Sequence, residues 1–132
     1  MRRFVVAACL AAAAFALVTL VALEGREVVV LETTTPAGAL RRTRTWIADA
    51  DGSAWVEAAN PERPFLQDLR HRPELVLERA GARRTCTVEV WPNPEGHERI
   101  RRLLRERYGW ADRWIGLVAD TTTSLGLRLT CA

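Results

Sequence analysis

The sequence predicts an α+β protein: a small antiparallel β-barrel carried on one N-terminal hydrophobic helix. Three observations predict it. Twenty residues without a charge run from Phe4 to Leu23. After them, short runs rich in valine and threonine alternate with glycine, proline and aspartate turn signals. Helical periodicity interrupts only twice, once after the third run and as a helical pair before the last. The chain has 132 residues, which leaves room for one domain of ordinary size after the apolar segment. The division is therefore 1–24 for an anchor or signal and 25–132 for the barrel.

The segment FVVAACLAAAAFALVTLVAL spans, at about 1.5 Å per residue, roughly the 30 Å of a bilayer's hydrocarbon layer. A secretory hydrophobic region is shorter, about 7–15 residues, and ends at a small-residue cleavage site. Ala14-Phe15-Ala16 offers such a site, but more apolar chain follows it. Cys9 after Val6-Ala7-Ala8 outlines a lipoprotein box with only a short apolar lead. An uncleaved anchor is the favoured reading, with a cleaved signal and a lipoprotein as alternatives. Arg2 and Arg3 precede the segment and favour a cytoplasmic N-terminus, which sends the domain to the outer side. Arg26, Arg41 and Arg42 lie on the far side and act against that bias.

All 19 basic residues are arginine, and the net charge is +3. Beyond Arg3 the arginines and carboxylates nearly balance and are interspersed. That pattern lacks the one-sided excess of a nucleic-acid binder, so no nucleic-acid partner is expected.

Arg26 to Thr33 (REVVVLET) is β-branched and too short for a helix, so it reads as the first strand. Thr35 to Ala39 (TPAGA) turns the chain. Leu40 to Ala48 alternates in part and forms the second strand. Asp49-Ala50-Asp51-Gly52 is a strong turn, and Ser53 to Ala59 is the third strand. Asn60-Pro61 breaks the meander. Asn60 is placed to cap a short helix in which Phe65, Leu66 and Leu69 share a face, and which ends before Pro73. Glu74 to Arg79 and Arg83 to Trp91 are the fourth and fifth strands, with Gly81 in the turn between them. Pro92-Asn93-Pro94 introduces the main helix, whose Ile100, Leu103, Leu104 and Tyr108 recur at helical spacing up to Gly109. Trp110 to Val118 is a second short helix, and Leu125 to Thr130 closes a six-stranded sheet.

Cys86 and Cys131 both fall in strands. They pair if those strands are neighbours, and otherwise read as two buried thiols. His71 and His97 have no second histidine or cysteine at metal spacing, so no metal site is expected. No serine–histidine–acid arrangement, GxGxxG or P-loop is present in the sequence. If the chain is an enzyme, its chemistry comes from a bound cofactor.

The order of elements, together with VVVLETT before a glycine-bearing turn, RRTRTW, AANP, FLQDLRHRPELVLE and RYGWADRW, resembles the deazaflavin-dependent nitroreductase family. These are relatives of the pyridoxamine-phosphate-oxidase split barrels. The resemblance covers roughly Glu24 to Leu129. It implies a six-stranded antiparallel split barrel that binds FMN or a deazaflavin coenzyme in a groove, in such families often at the interface of a homodimer. By position, Thr34, Thr35, Arg41, Arg42 and Thr43 would meet the cofactor phosphate. Asn60 and Pro61 would bring backbone near the ring, and Phe65 matches an aromatic opening the next helix. The loop Thr34-Thr35-Pro36-Ala37-Gly38 is a residue shorter than the family's and lacks its arginine and serine, which leaves phosphate capture to Arg41 and Arg42. Trp110 and Trp114 stand where pocket tyrosines would be; an indole offers a ring face and one N–H donor but no titratable phenol. The alternative for the arginines is a solvated strand edge, and for the two tryptophans core packing.

Two functions follow. The first is a membrane-anchored flavin- or deazaflavin-dependent oxidoreductase that reduces a small acceptor such as a quinone or nitro compound. The second is a non-catalytic split-barrel module that binds ligand or serves a membrane assembly.

Overall fold

The computed structural model describes residues 1–23 and 26–132, so the expected anchor–domain boundary at 24 and 25 lies outside the described residues. Helix α1 spans Arg2–Leu23. Four strands follow: β1 Val28–Thr34, β2 Leu40–Trp46, β3 Ala48–Ala50 and β4 Ser53–Ala58. Then come α2 Pro64–His71, β5 Glu74–Arg79, β6 Ala82–Trp91, α3 Glu95–Tyr108, α4 Trp110–Val118 and β7 Leu125–Cys131. All strands join one antiparallel sheet in the order β2-β1-β5-β6-β7-β4-β3.

The described residues form seven strands rather than the expected six, because the second strand divides at Ile47. β2 pairs with β1, whereas β3 pairs with β4 at the other end of the sheet. The two edges of the sheet are thus consecutive in the chain, and the bend at Ile47 curls the sheet into a half-barrel. Side-chain alternation runs through the bend unbroken: Ile47 packs in the barrel interior, while Trp46 and Ala48 pack on the outside. The hairpin from β3 to β4 turns on Asp51 and Gly52, at φ 54° and 73°, the left-handed pair that a two-residue hairpin turn needs.

Inside the curl, Val29 and Leu31 of β1, Leu75 and Leu77 of β5, Val56 of β4 and Leu127 and Leu129 of β7 form the core. Helix α2 starts with Pro64 at its first position and turns Phe65, Leu66 and Leu69 into that core. Asn60 does not cap it. Its side chain accepts the Glu62 N–H at 3.0 Å in a local turn, and Arg63 occupies the cap position without a side-chain bond. The helix ends at His71 because Arg72, ahead of Pro73, is extended.

Outside, α3 lays Ile100, Leu104 and Tyr108 on Trp55 and Ala48. It comes close to the sheet where Gly96 meets Gly126: a Cβ on Gly126 would stand 2.8 Å from the Gly96 carbonyl oxygen. Cys86 and Cys131 face one another directly in the β6–β7 register and form a disulfide, which decides the pairing that the sequence left open. Helix α1 projects from the domain. Only Ala22 is buried, and the C-terminal part of the helix packs on α4.

Candidate functional site

β2 has one strand neighbour, β1. Its other edge faces the end of β4 and the start of α2, and the gap between them is the split in the barrel. A groove of about 570 Å³ fills it, within the range of small-molecule sites. Thr43, Thr45 and Trp46 of β2 form one wall, and Ala59 and Phe65 another. Leu104, Ile115 and Leu23 extend the apolar lining toward α1.

At one end the groove shares Thr43, Arg44, Arg63 and Phe65 with a smaller cavity of about 350 Å³ that reaches Arg41 and Arg42. These arginines are not equivalent. Along a strand, successive side chains point to opposite faces, so Arg41 and Thr43 share the inner face with Thr33, while Arg42 shares the outer face with Glu32. Arg42 is neutralised there by Glu32 and Glu78, which Arg83 also bridges. Arg41 is held differently. Its Nε donates to Oδ2 of buried Asp68 at 2.8 Å, and the same oxygen accepts the Thr33 hydroxyl at 2.7 Å. That grip leaves the two Nη groups of Arg41 without a partner among the described residues. The Arg44 and Arg63 guanidinium groups have no hydrogen-bond or salt-bridge partner among them either, although that of Arg63 stacks 5.8 Å from the Phe65 ring. Four arginines therefore line one cavity: Arg42 is paired with Glu32 and Glu78 and Arg41 with Asp68, while the Arg44 and Arg63 guanidinium groups meet no carboxylate among the described residues. That is the electrostatic character of an anion site.

The other end carries an ion triad in which Asp112 is buried and Arg101 and Glu57 are partly buried. Arg101 forks to Glu57 at 3.0 Å and to both Asp112 oxygens at 2.6 and 2.7 Å. Burial works against the Arg101 charge, but the two carboxylates outweigh it and raise its pKa. The triad ties β4, α3 and α4 together and presents charge balanced within the wall.

The remaining expected site residues lie outside these linings. Thr35 is closed into its own turn: its N–H donates to Ala39 O at 2.8 Å, its carbonyl accepts Gly38 N–H at 2.9 Å, and its hydroxyl accepts Ala39 N–H at 3.1 Å. Thr34 ends β1 beside that turn. Asn60 and Pro61 sit at the start of the α2 turn, where the Pro61 carbonyl accepts from Gln67. Trp110 and Trp114 do not line the groove, and α4 contributes Asp112 and Ile115 to it instead. Sequence reading missed Arg63 and the Glu57–Arg101–Asp112 triad. The one available signal for Arg63 was its position next to Asn60-Pro61.

No family model matches this chain, and no curated protein matches it by sequence. Solved structures share its fold. An F420 reductase aligns over 83% of this chain and 94% of its own, with TM-score 0.59 and 14% identity. A conserved hypothetical protein from Mycobacterium tuberculosis aligns over 83% and 75%, with TM-score 0.59 and 20% identity. A pyridoxamine 5′-phosphate oxidase-like protein from Listeria innocua aligns over 85% and 89%, with TM-score 0.58 and 12% identity. The architecture is the split barrel that the resemblance implied.

Proposed function

We propose that this chain is a membrane-anchored oxidoreductase that holds a flavin or deazaflavin ring in the split and reduces a small acceptor such as a quinone or nitro compound. The carrying observation is the junction of an apolar groove with a cavity ringed by Arg41, Arg44 and Arg63, two of them without a carboxylate partner. A planar apolar ring bearing a phosphorylated tail matches that pair of surfaces. When bound in its reduced form, the ring would supply a hydride to the acceptor and be left oxidised, and a flavin could also pass single electrons.

The chain's own residues bind and orient. Asp68 fixes the Arg41 guanidinium by Nε so that its free nitrogens can fork onto phosphate oxygens. Arg44 and Arg63 add charge, and the Thr43 hydroxyl offers a hydrogen bond. Phe65, Trp46 and Ile115 supply apolar walls that exclude water. Arg42, Thr34, Thr35, Asn60 and Pro61 border this arrangement. In this reading a quinone suits the acceptor role because Leu23, the last residue of α1, lines the groove beside the membrane helix. Arg2 and Arg3 at the N-terminal end of α1 and a disulfide in the domain both favour the outer side of the membrane. A homodimer belongs to the same reading.

One observation favours the non-catalytic alternative. The turn donors that would cradle a phosphate, the N–H groups of Thr35, Gly38 and Ala39, are bonded within the turn. The test is titration of detergent-solubilised full-length protein with FMN and with the deazaflavin coenzyme, read by ligand fluorescence. Saturable binding that falls on the order of tenfold in Arg44→Ala and in Arg63→Ala supports a cofactor site. Turnover of a quinone or nitro acceptor separates the enzyme from the module. No binding of either ligand sinks the proposal.

A further inference from the structure

Helix α4 has two faces. Ala111 and Asp112 are buried against the domain, and Ile115 lines the groove. Trp110, Trp114, Leu117 and Val118 recur at i, i+4, i+7 and i+8, a single apolar stripe on another side. Trp110 is 51% exposed and Leu117 81%. Among the described residues, Trp114 of this stripe contacts α1. The Trp114 indole Nε1 donates to Thr19 Oγ1 at 2.8 Å, and its ring lies 5.4 Å from that of Phe15.

Those contacts fix a depth. Thr19 and Phe15 precede Leu23 by four and eight residues, about 6 and 12 Å along a helix axis. Raising α1 until Thr19 cleared the hydrocarbon would leave about fifteen residues, roughly 22 Å, to cross a layer of about 30 Å. A spanning α1 therefore draws Trp114 below the surface of the hydrocarbon, with Trp110 beside Arg26 just past the end of that helix. Cations stand beside the stripe: the Arg26 guanidinium lies 5.3 Å from the Trp110 ring centroid, and Arg113 is exposed on α4 itself. Tryptophan beside arginine is the composition of a membrane–water interface, where indole sits at headgroup level and arginine meets lipid phosphate.

We propose that α4 is a second membrane element, lying in the interfacial zone of the leaflet on the domain's side with Trp110, Leu117 and Val118 in lipid. The proposal rests on the reading of α1 as a membrane span. It gives the groove an entrance at the bilayer surface, since Ile115 and Leu23 line the groove from the two membrane elements. A lipid-dissolved acceptor then reaches the split without crossing water.

Full-length protein in vesicles of phosphatidylcholine and phosphatidylglycerol tests this, with an environment-sensitive fluorophore on single thiols. Native Cys9, the one free cysteine among the described residues, reports α1. In a Cys9→Ser background, Leu117→Cys and Val118→Cys report α4. Leu40→Cys, at the end of the β1–β2 hairpin remote from α1, reports the far side of the barrel. Lipids carrying nitroxide on the acyl chain are expected to quench labels at 9, 117 and 118 several-fold more than the label at 40. Strong quenching at 9 with 117 and 118 no different from 40 overturns the α4 assignment and keeps the anchor. Absence of quenching at 9, 117 and 118 overturns both.

Discussion

The phenol of Tyr108 donates to the main-chain carbonyl of Ile47 at 2.6 Å, where β2 becomes β3. At a bend the carbonyl leaves one ladder before joining another, so an unpaired buried acceptor is the expected cost. Tyr108 meets that need from the end of α3 and packs its ring 4.8 Å from Trp46. The bond thus joins the outer helix layer to the corner that closes the barrel.

Tyr108→Phe removes this bond and leaves the carbonyl buried. A loss of about 1–3 kcal/mol is expected in urea unfolding. Burial raises the Tyr108 pKa above its ordinary value of 10.0. The folded state therefore keeps its proton longer than the unfolded chain, and stability contributed below pH 10 is lost as pH rises through the folded value. The variant should show a shallower alkaline decline. Parallel declines would mean that the phenol does not titrate with unfolding.

A second ionic cluster sets the acid limb. Arg79 bonds Glu27 at 2.6 Å and Asp49 at 2.6 Å, and Arg107 touches both carboxylates. The bond from Arg79, acting against burial, holds both pKa values below their ordinary 4.5 and 3.8. Lowered values mean stability that is present above those pH values and lost as pH falls through the folded ones. Arg79→Gln is expected to flatten the decline below about pH 4.5 and to lower stability at pH 7. The carboxylates are partly exposed, so high salt should shrink the difference. Thermal melts across pH 2–7 at two salt concentrations check this.

Much of the barrel was legible in the residues. The short β-branched run in β1 and the run Glu74 to Arg79 read as strands, and glycine and proline marked the turns. The division of the second strand was not legible, because alternation continues through Ile47 with no turn residue to mark it. Of the residues that the resemblance implied for a site, Thr43 and Phe65 line the groove and Arg41 the smaller cavity beside it. Arg63 was hidden inside a Pro-Glu-Arg-Pro loop that reads only as punctuation. The triad joins residues 11 and 44 positions apart, a pairing that only the tertiary fold creates. The spacing of Trp110 and Trp114 gave a helical stripe, but α1 is apolar all round and offers no face from which to infer their contact.

The Cys86–Cys131 link closes a loop of 45 residues between strands that are already neighbours. Chain-entropy reasoning assigns such a loop about 4 kcal/mol, and measured losses on removal run about 2–5 kcal/mol. The double variant Cys86→Ala, Cys131→Ala should unfold at lower urea by an amount in that range, with ligand binding retained at low temperature. A change below about 1 kcal/mol would show that β6–β7 pairing alone holds the chain end.

Asp68 is where stability and binding should separate. Its carboxylate is buried, accepts from the Thr33 hydroxyl, and pins Arg41. Asp68→Asn keeps the shape and an acceptor for Thr33, but it removes the charge that orients the guanidinium. If Arg41 serves as a preset fork for an anion, freeing it raises the ordering cost of binding, and affinity for a phosphorylated ring should drop on the order of tenfold. Arg41→Lys should fall similarly, because an ammonium cannot bond Asp68 and fork onto phosphate from one plane. Isothermal titration of the folded variants, with urea unfolding beside it, resolves the two effects. An Asp68→Asn protein that loses stability while binding unchanged would make the Arg41–Asp68 pair a structural tie between β2 and α2 with no part in ligand capture.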